Sequence, residues 1–319
     1  MLESQGPINQ AEKRYMPINQ AEKAFFASLK DNKPGIGGPP TLDQQRATAK
    51  ILFTKHAGQA AKAPFRDILI PTRDGQNVRV RIFNPTIEGP VLFFLPGNAF
   101  IFDLFECNAI AASRIAFFGK LKVIMIDYRL MPENPWPTTI NDIEDVMTEI
   151  WQNPTKYAID QEFIYLSGIC SGAHAAALVA LKKNRAFILQ KLILLNGLYD
   201  QSLSQNNYAA FEREDEMVIR SSFFWWFNHY KISSEEAKAP DRSPLYAEDF
   251  SALPKTALII SEYDGFRSDS EAFYLKLQEH HIPVSKTVIQ GQTHNTMILR
   301  GAMHDGPDPA EILANAVNC

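Results

Sequence analysis

The sequence predicts an α/β protein built on a mostly parallel sheet with helices on both faces. Three observations predict it. Apolar runs of strand length recur: VLFFL (91–95), KVIMID (122–127), FIYLS (163–167), KLILL (191–195), TALIIS (256–261) and PVSKTVI (283–289). Helix-like stretches near 105–119, 139–151, 171–182 and 268–280 alternate with them. Two β-rich runs flank Asp74-Gly75 in RDILIPTRDGQNVRVRIFNP, which reads as a hairpin. Continuous apolar runs suit strands buried on both faces, and alternation with helices implies crossover units. Two hairpin strands and six later runs make an eight-stranded sheet. Such sheets place their sites on loops at the C-terminal strand ends.

The remaining segments follow in chain order. The heptapeptide PINQAEK occurs at 7–13 and again at 17–23, a single tandem duplication with no later copy. DNKPGIGGPP (31–40) reads as loop. TLDQQRATAKILFTKHA (41–57) reads as a helix with Thr41 as its cap. Residues 199–243 are too long for an ordinary loop, so they predict an inserted helical element. Within it, Phe223, Phe224, Trp226, Phe227 and Tyr230 form an aromatic stripe. Such a stripe either lines an apolar pocket or glues the insertion to the core.

Bulk properties exclude several function classes. A chain of 319 residues, 45% of them hydrophobic, can bury a full core. The net charge of -4, with scattered Lys and Arg, gives no reason to expect a nucleic-acid partner. No apolar run of about 18 residues predicts a membrane span, and the polar start MLESQGPINQAEK lacks a signal region. Cys107, Cys170 and Cys319 are far apart, which fits neither a disulfide framework nor a zinc cluster. A reducing, cytoplasmic compartment is expected, with signal-less secretion as the alternative. No phosphate-cradling glycine loop or ligand cluster implies a cofactor or metal. Nothing marks an oligomeric interface.

The chemistry concentrates at LSGICSGAH (166–174). Gly168-Ile169-Cys170-Ser171-Gly172 lies between a strand and a strong helix former, the setting of a nucleophile elbow. Glycines flank the nucleophile of such a turn because side chains there would clash. Ser171 as nucleophile would be flanked by Ile169 and Ala173, so Cys170 is the candidate. A helix N-terminus and a neighbouring His both favour a thiolate. A triad of this topology needs an acid and then a His after later strands. Asp264 follows TALIIS and His294 follows PVSKTVI, in the right order. His56, His174, His229, His280, His281 and His304 are weaker bases, and His174, one helical turn past Cys170, reads as packing or as support behind the site. The oxyanion needs backbone donors: Ser171, and Asn98 and Ala99 from LPGNAF (95–100).

These residues resemble the hormone-sensitive-lipase-like family of α/β-hydrolases over about residues 65–300. DYRLMPENPWP (127–137) is similar to its D-Y-R-L-A-P-E-x-P-F-P block, and GQTHN (291–295) to its G-x-x-H-G. The segment from SPLYAEDF to EYDGFRSD (243–269) is similar to its S-P-L…E-Y-D-x-L-R-D block. The resemblance implies an α/β-hydrolase fold and an esterase or lipase acting on a small-molecule acyl ester. It implies a cap made by residues 1–60 and 199–243 over a core of 61–198 and 244–319, with Phe100, Phe223, Trp226 and Phe227 against substrate. Departures cluster at the chemistry: Cys170 replaces serine, Ile169 an Asp, and Pro96, Asn98 and Ala99 the His and two glycines of the oxyanion loop. Three functions stay open: ester hydrolysis through a thioacyl enzyme, acyl transfer through the same cysteine, and binding of an acyl ligand or protein by an inactive descendant.

Overall fold

A computed structural model describes residues 18–30, 41–202 and 232–318. The hairpin begins the sheet: β1 (Phe65–Pro71) and β2 (Asn77–Phe83) pair antiparallel. Gly75 closes their turn at φ +78°, a conformation that glycine adopts without penalty. β2 pairs antiparallel with β4 (Lys122–Asp127), and β4 runs parallel to β3 (Gly89–Leu95). β5 (Ile159–Ile169), β6 (Lys191–Leu195), β7 (Lys255–Tyr263) and β8 (Val284–Thr293) continue in parallel. The order is β1-β2-β4-β3-β5-β6-β7-β8, the eight-stranded, mostly parallel sheet that the apolar runs predict.

Period-two geometry splits the core between the two faces. Val91, Phe93 and Leu95 point into one hydrophobic cluster, Leu92 and Phe94 into the other. The first cluster is closed by α4 (Thr138–Gln152), α6 (Ser171–Leu181) and α8 (Arg267–Glu279). The second is closed by α3 (Phe105–Gly119) and by α9 (Pro309–Asn318), a helix beyond the last strand that the alternation did not announce. Two short helices, α5 (Pro154–Tyr157) and α7 (Ser234–Ala237), complete the α-helices of the described residues. Every residue of α6 from Ser171 to Ala180 is buried, and its alanines let it lie close to the sheet. Among the described residues no helix is long and apolar enough to cross a membrane.

The N-terminal helices α1 (Gln20–Lys30) and α2 (Leu42–His56) lie outside this sandwich. Thr41 caps α2 in a reciprocal capping box with Gln44, as expected. Arg46 then reaches across: its Nε donates to Ile101 O and its Nη2 to Met131 O, while Glu133 accepts from both Nη atoms. This ties α2 to the loop that follows β3. α1 is tied to the loop that follows β8. Glu22 is fully buried there, and Thr296 Oγ1 donates to its Oε1 at 2.7 Å. Most of the insertion predicted over 199–243, including Phe223, Trp226 and Phe227, lies outside the described residues.

Burial pushes the Glu22 carboxyl up from 4.5 to about 7, against hydrogen bonds from Thr296 and Thr293 and the charge of Arg300, which pull it down. The docked state therefore holds the proton between those two values, where the released helix has lost it. Docking is strongest below pH 4.5 and weakens by about 3 kcal/mol as pH rises to about 7. In Glu22→Gln, melting temperatures at pH 5 and pH 8 should therefore differ less than in the unaltered protein. An unchanged difference would show that Glu22 does not couple docking to pH.

Candidate active site

The elbow is built by two close approaches. A Cβ on Gly168 would lie 2.3 Å from the carbonyl of Gly172, and one on Gly172 only 2.1 Å from Leu95 O. No real Cβ tolerates either distance, so the strand-to-helix turn exists because both positions are glycine. Between them Cys170 takes φ 55°, ψ -121°, a conformation that side chains rarely adopt. Such backbone costs on the order of 1–3 kcal/mol and persists where the surroundings over-determine it. The over-determination is visible: Cys170 N–H donates to Leu195 O, and Cys170 O accepts from His174 N–H. The thiol is thereby presented at the mouth of α6, 8% exposed.

The candidate base and acid follow directly on two strand ends. His294 comes immediately after β8, and its Nδ1 lies 2.8 Å from Asp264 Oδ1, just past β7. Phe266 N–H donates to the same carboxylate oxygen, and the Phe266 ring packs edge-on to the imidazole at 5.4 Å. Cys170 lies close enough to His294 to act on its charge. Burial pulls the His294 pKa down, but the charges of Asp264 and Cys170, with their hydrogen bonds, outweigh it and raise it well above the ordinary range. Burial notwithstanding, the imidazole favours its protonated form. The structure thus brings together Cys170, His294 and Asp264, three residues far apart in sequence.

The loop after β3 is strained and braced. Ala99 and Phe100 both have positive φ, at 52° and 63°. Asn108, buried in α3, accepts from Gly97 N–H and donates to Gly97 O, both at 3.0 Å. Asn98 Oδ1 accepts from Phe100 N–H and lies 2.9 Å from the Tyr128 hydroxyl. Asn98 and Ser171 engage each other: Asn98 N–H donates to Ser171 Oγ at 3.0 Å, and the Ser171 hydroxyl returns to Asn98 Oδ1 at 3.2 Å. The Ser171 hydroxyl is thus committed to the loop, and so is the Asn98 N–H, read from sequence as an oxyanion donor. The Asn98 side chain acts here as a hub acceptor.

Phe100 is buried in an aromatic wall, with ring centres 5.6 Å from His174 and 5.9 Å from Trp136. His174 is wholly buried, and its Nδ1 meets Leu198 O at 2.6 Å, consistent with packing. Burial lowers its pKa to about 4, so it is neutral.

One positioning residue escaped the sequence reading. Asn196 ends β6 at φ 47°, and its side chain bridges two partners. Its Oδ1 accepts from Ser261 N–H at 2.8 Å, and its Nδ2 donates to Ser261 Oγ at 3.0 Å and to His294 O at 2.9 Å. It fixes β7, which leads into Asp264, against the loop that carries His294. Its signal in the sequence was an asparagine directly after a buried apolar run, a residue type that tolerates left-handed backbone.

A family model described as alpha/beta hydrolase fold matches residues 92–298, and the chain belongs to that family. A protein of Acanthamoeba polyphaga mimivirus described as an alpha/beta hydrolase is 26% identical over 306 residues, 93% of this chain and 86% of its own. An arylesterase of Saccharolobus solfataricus is 26% identical, over 72% of this chain and 76% of its own. Among solved structures, an esterase of the archaeon Pyrobaculum calidifontis superposes with a TM-score of 0.83 at 21% identity, covering 95% of this chain and 98% of its own. That likeness is one of fold.

Asn196→Gly keeps the left-handed backbone and removes the bridge. Leaving Ser261 and His294 groups unpaired should cost about 1–3 kcal/mol in urea unfolding. A variant as stable as the parent would show that the bridge contributes nothing.

Proposed function

We propose that this protein hydrolyses carboxylic esters of small molecules through a thioacyl enzyme. The observation that carries the reading is Cys170, held in a strained elbow, close to a His294 that Asp264 orients. Named esterases among the relatives support the substrate class.

The Cys170 thiolate attacks the acyl carbonyl, and the carbonyl π electrons move to oxygen. The N–H groups of Ser171 and Ala99 hold that oxyanion, while Asn98 keeps the loop in shape. As the carbonyl re-forms, the C–O bond to the alcohol breaks, and His294 gives its proton to the leaving alkoxide. A thioester remains on Cys170. His294, now neutral, takes a proton from water as the hydroxide adds to the thioester carbon. Collapse expels the thiolate and restores the ion pair. Asp264 stays ionised throughout and fixes the imidazole. Phe100 and the cap aromatics Phe223, Trp226 and Phe227 receive the apolar part of the ester. Residues 1–60 and 199–243 form the cap that carries the last three.

Turnover of a short-chain nitrophenyl ester tests this reading. It should vanish in Cys170→Ala and fall at least about a hundredfold in His294→Ala, the usual scale for a lost general base. Turnover surviving in Cys170→Ala would overturn the assignment of the nucleophile.

A further inference from the structure

The duplicated heptapeptide is the sequence feature that the catalytic reading leaves unused, and the structure shows what its second copy does. Residues 18–23 dock behind the His294 loop. Ile18 is buried. Asn19 N–H donates to Gly291 O at 2.9 Å, and Asn19 Nδ2 to Asp305 O at 3.3 Å. Ala21 N–H donates to Asp305 Oδ2 at 2.8 Å. Glu22 receives the Thr296 hydroxyl. The receiving groups lie on both sides of His294, from Gly291 to Asp305.

Each of these docking residues lies inside the repeat. The first copy supplies the same set as Ile8, Asn9, Ala11 and Glu12. Just beyond the second copy, Phe25 and Phe26 pack against Leu299 and Met303. Ten residues earlier stand Tyr15 and Met16, also large and apolar. The registers differ at Arg14, which stands in the place of the exposed Ala24, and part at Pro17, which takes the place of Ala27, where a proline would end the helix.

We propose that the slot behind the His294 loop is a binding site for the peptide P-I-N-Q-A-E-K, and that the two copies compete for it in registers ten residues apart. The second copy wins in the structure described because its helix runs on to Lys30 and brings two phenylalanines. The first copy keeps the polar contacts and lengthens the tether between slot and α2 by ten residues. The base-bearing loop then stays braced in either register.

Melting temperatures of three variants test the competition without reference to ester turnover. Ile8→Asp with Glu12→Ala disables the first copy, Ile18→Asp with Glu22→Ala disables the second, and the fourfold variant disables both. Disabling the first alone should leave the melting temperature unchanged. Disabling the second should lower it by less than half the drop seen in the fourfold variant. A drop as large with the second copy disabled as with both would overturn the proposal. Hydrogen exchange supplies a second readout if the melting transitions broaden. With the second copy disabled, the amides of Asn9 and Ala11 should gain protection that Ile8→Asp with Glu12→Ala removes, and no gain would equally overturn the proposal.

Discussion

The contact on which the site depends is the approach of α6 to the ends of β3 and β5, closer than any side chain at Gly168 or Gly172 would permit. That approach forces the chain to turn within one residue, and the residue at the turn is Cys170. The alanine-rich face of α6 and the apolar strands beneath it hold the turn closed. Strain at the cysteine is thus stored by packing far larger than itself. The sulfur sits at a helix N-terminus, where partial positive charge favours an anion.

Around that turn the other parts are held by unrelated segments. Asn196 joins the strand that leads into Asp264 to the loop that carries His294. Arg114, buried in α3, donates to Met297 O and pairs with Asp308, which pins the same loop from beneath. α1 braces it from outside through Glu22 and Thr296. Mutual electrostatics complete the arrangement: a protonated imidazole between Asp264 and Cys170 is favoured despite burial. The strained Ala99 and Phe100 are tolerated because Asn108, Tyr128 and Ser171 occupy the polar groups of their loop.

Much of this was legible in the residues. Strands buried on both faces read as continuous apolar runs, so the sheet could be counted before it was seen. The elbow was legible because only glycine satisfies its sterics, and the positions of Asp264 and His294 because both residues directly follow strands. Other features were hidden. The helix Pro309–Asn318 follows the last strand, where no alternation points to it. Asn196 looks like any polar residue closing a strand until Ser261 and His294 are seen around it. The Asn98 N–H could be read as an oxyanion donor because sequence does not show that the Ser171 hydroxyl has claimed it. Long-range hydrogen bonds have no period and no motif.

The central claim is that the acyl group passes through the sulfur of Cys170, and its most direct test is to trap it there. The protein is mixed with an excess of acetyl ester, quenched in acid during turnover, digested and mapped by mass spectrometry. The account predicts a single acetyl group on the peptide that carries Cys170, released by neutral hydroxylamine as a thioester is. An acetyl group on Ser171 or another oxygen nucleophile, with Cys170 unmodified, would contradict it.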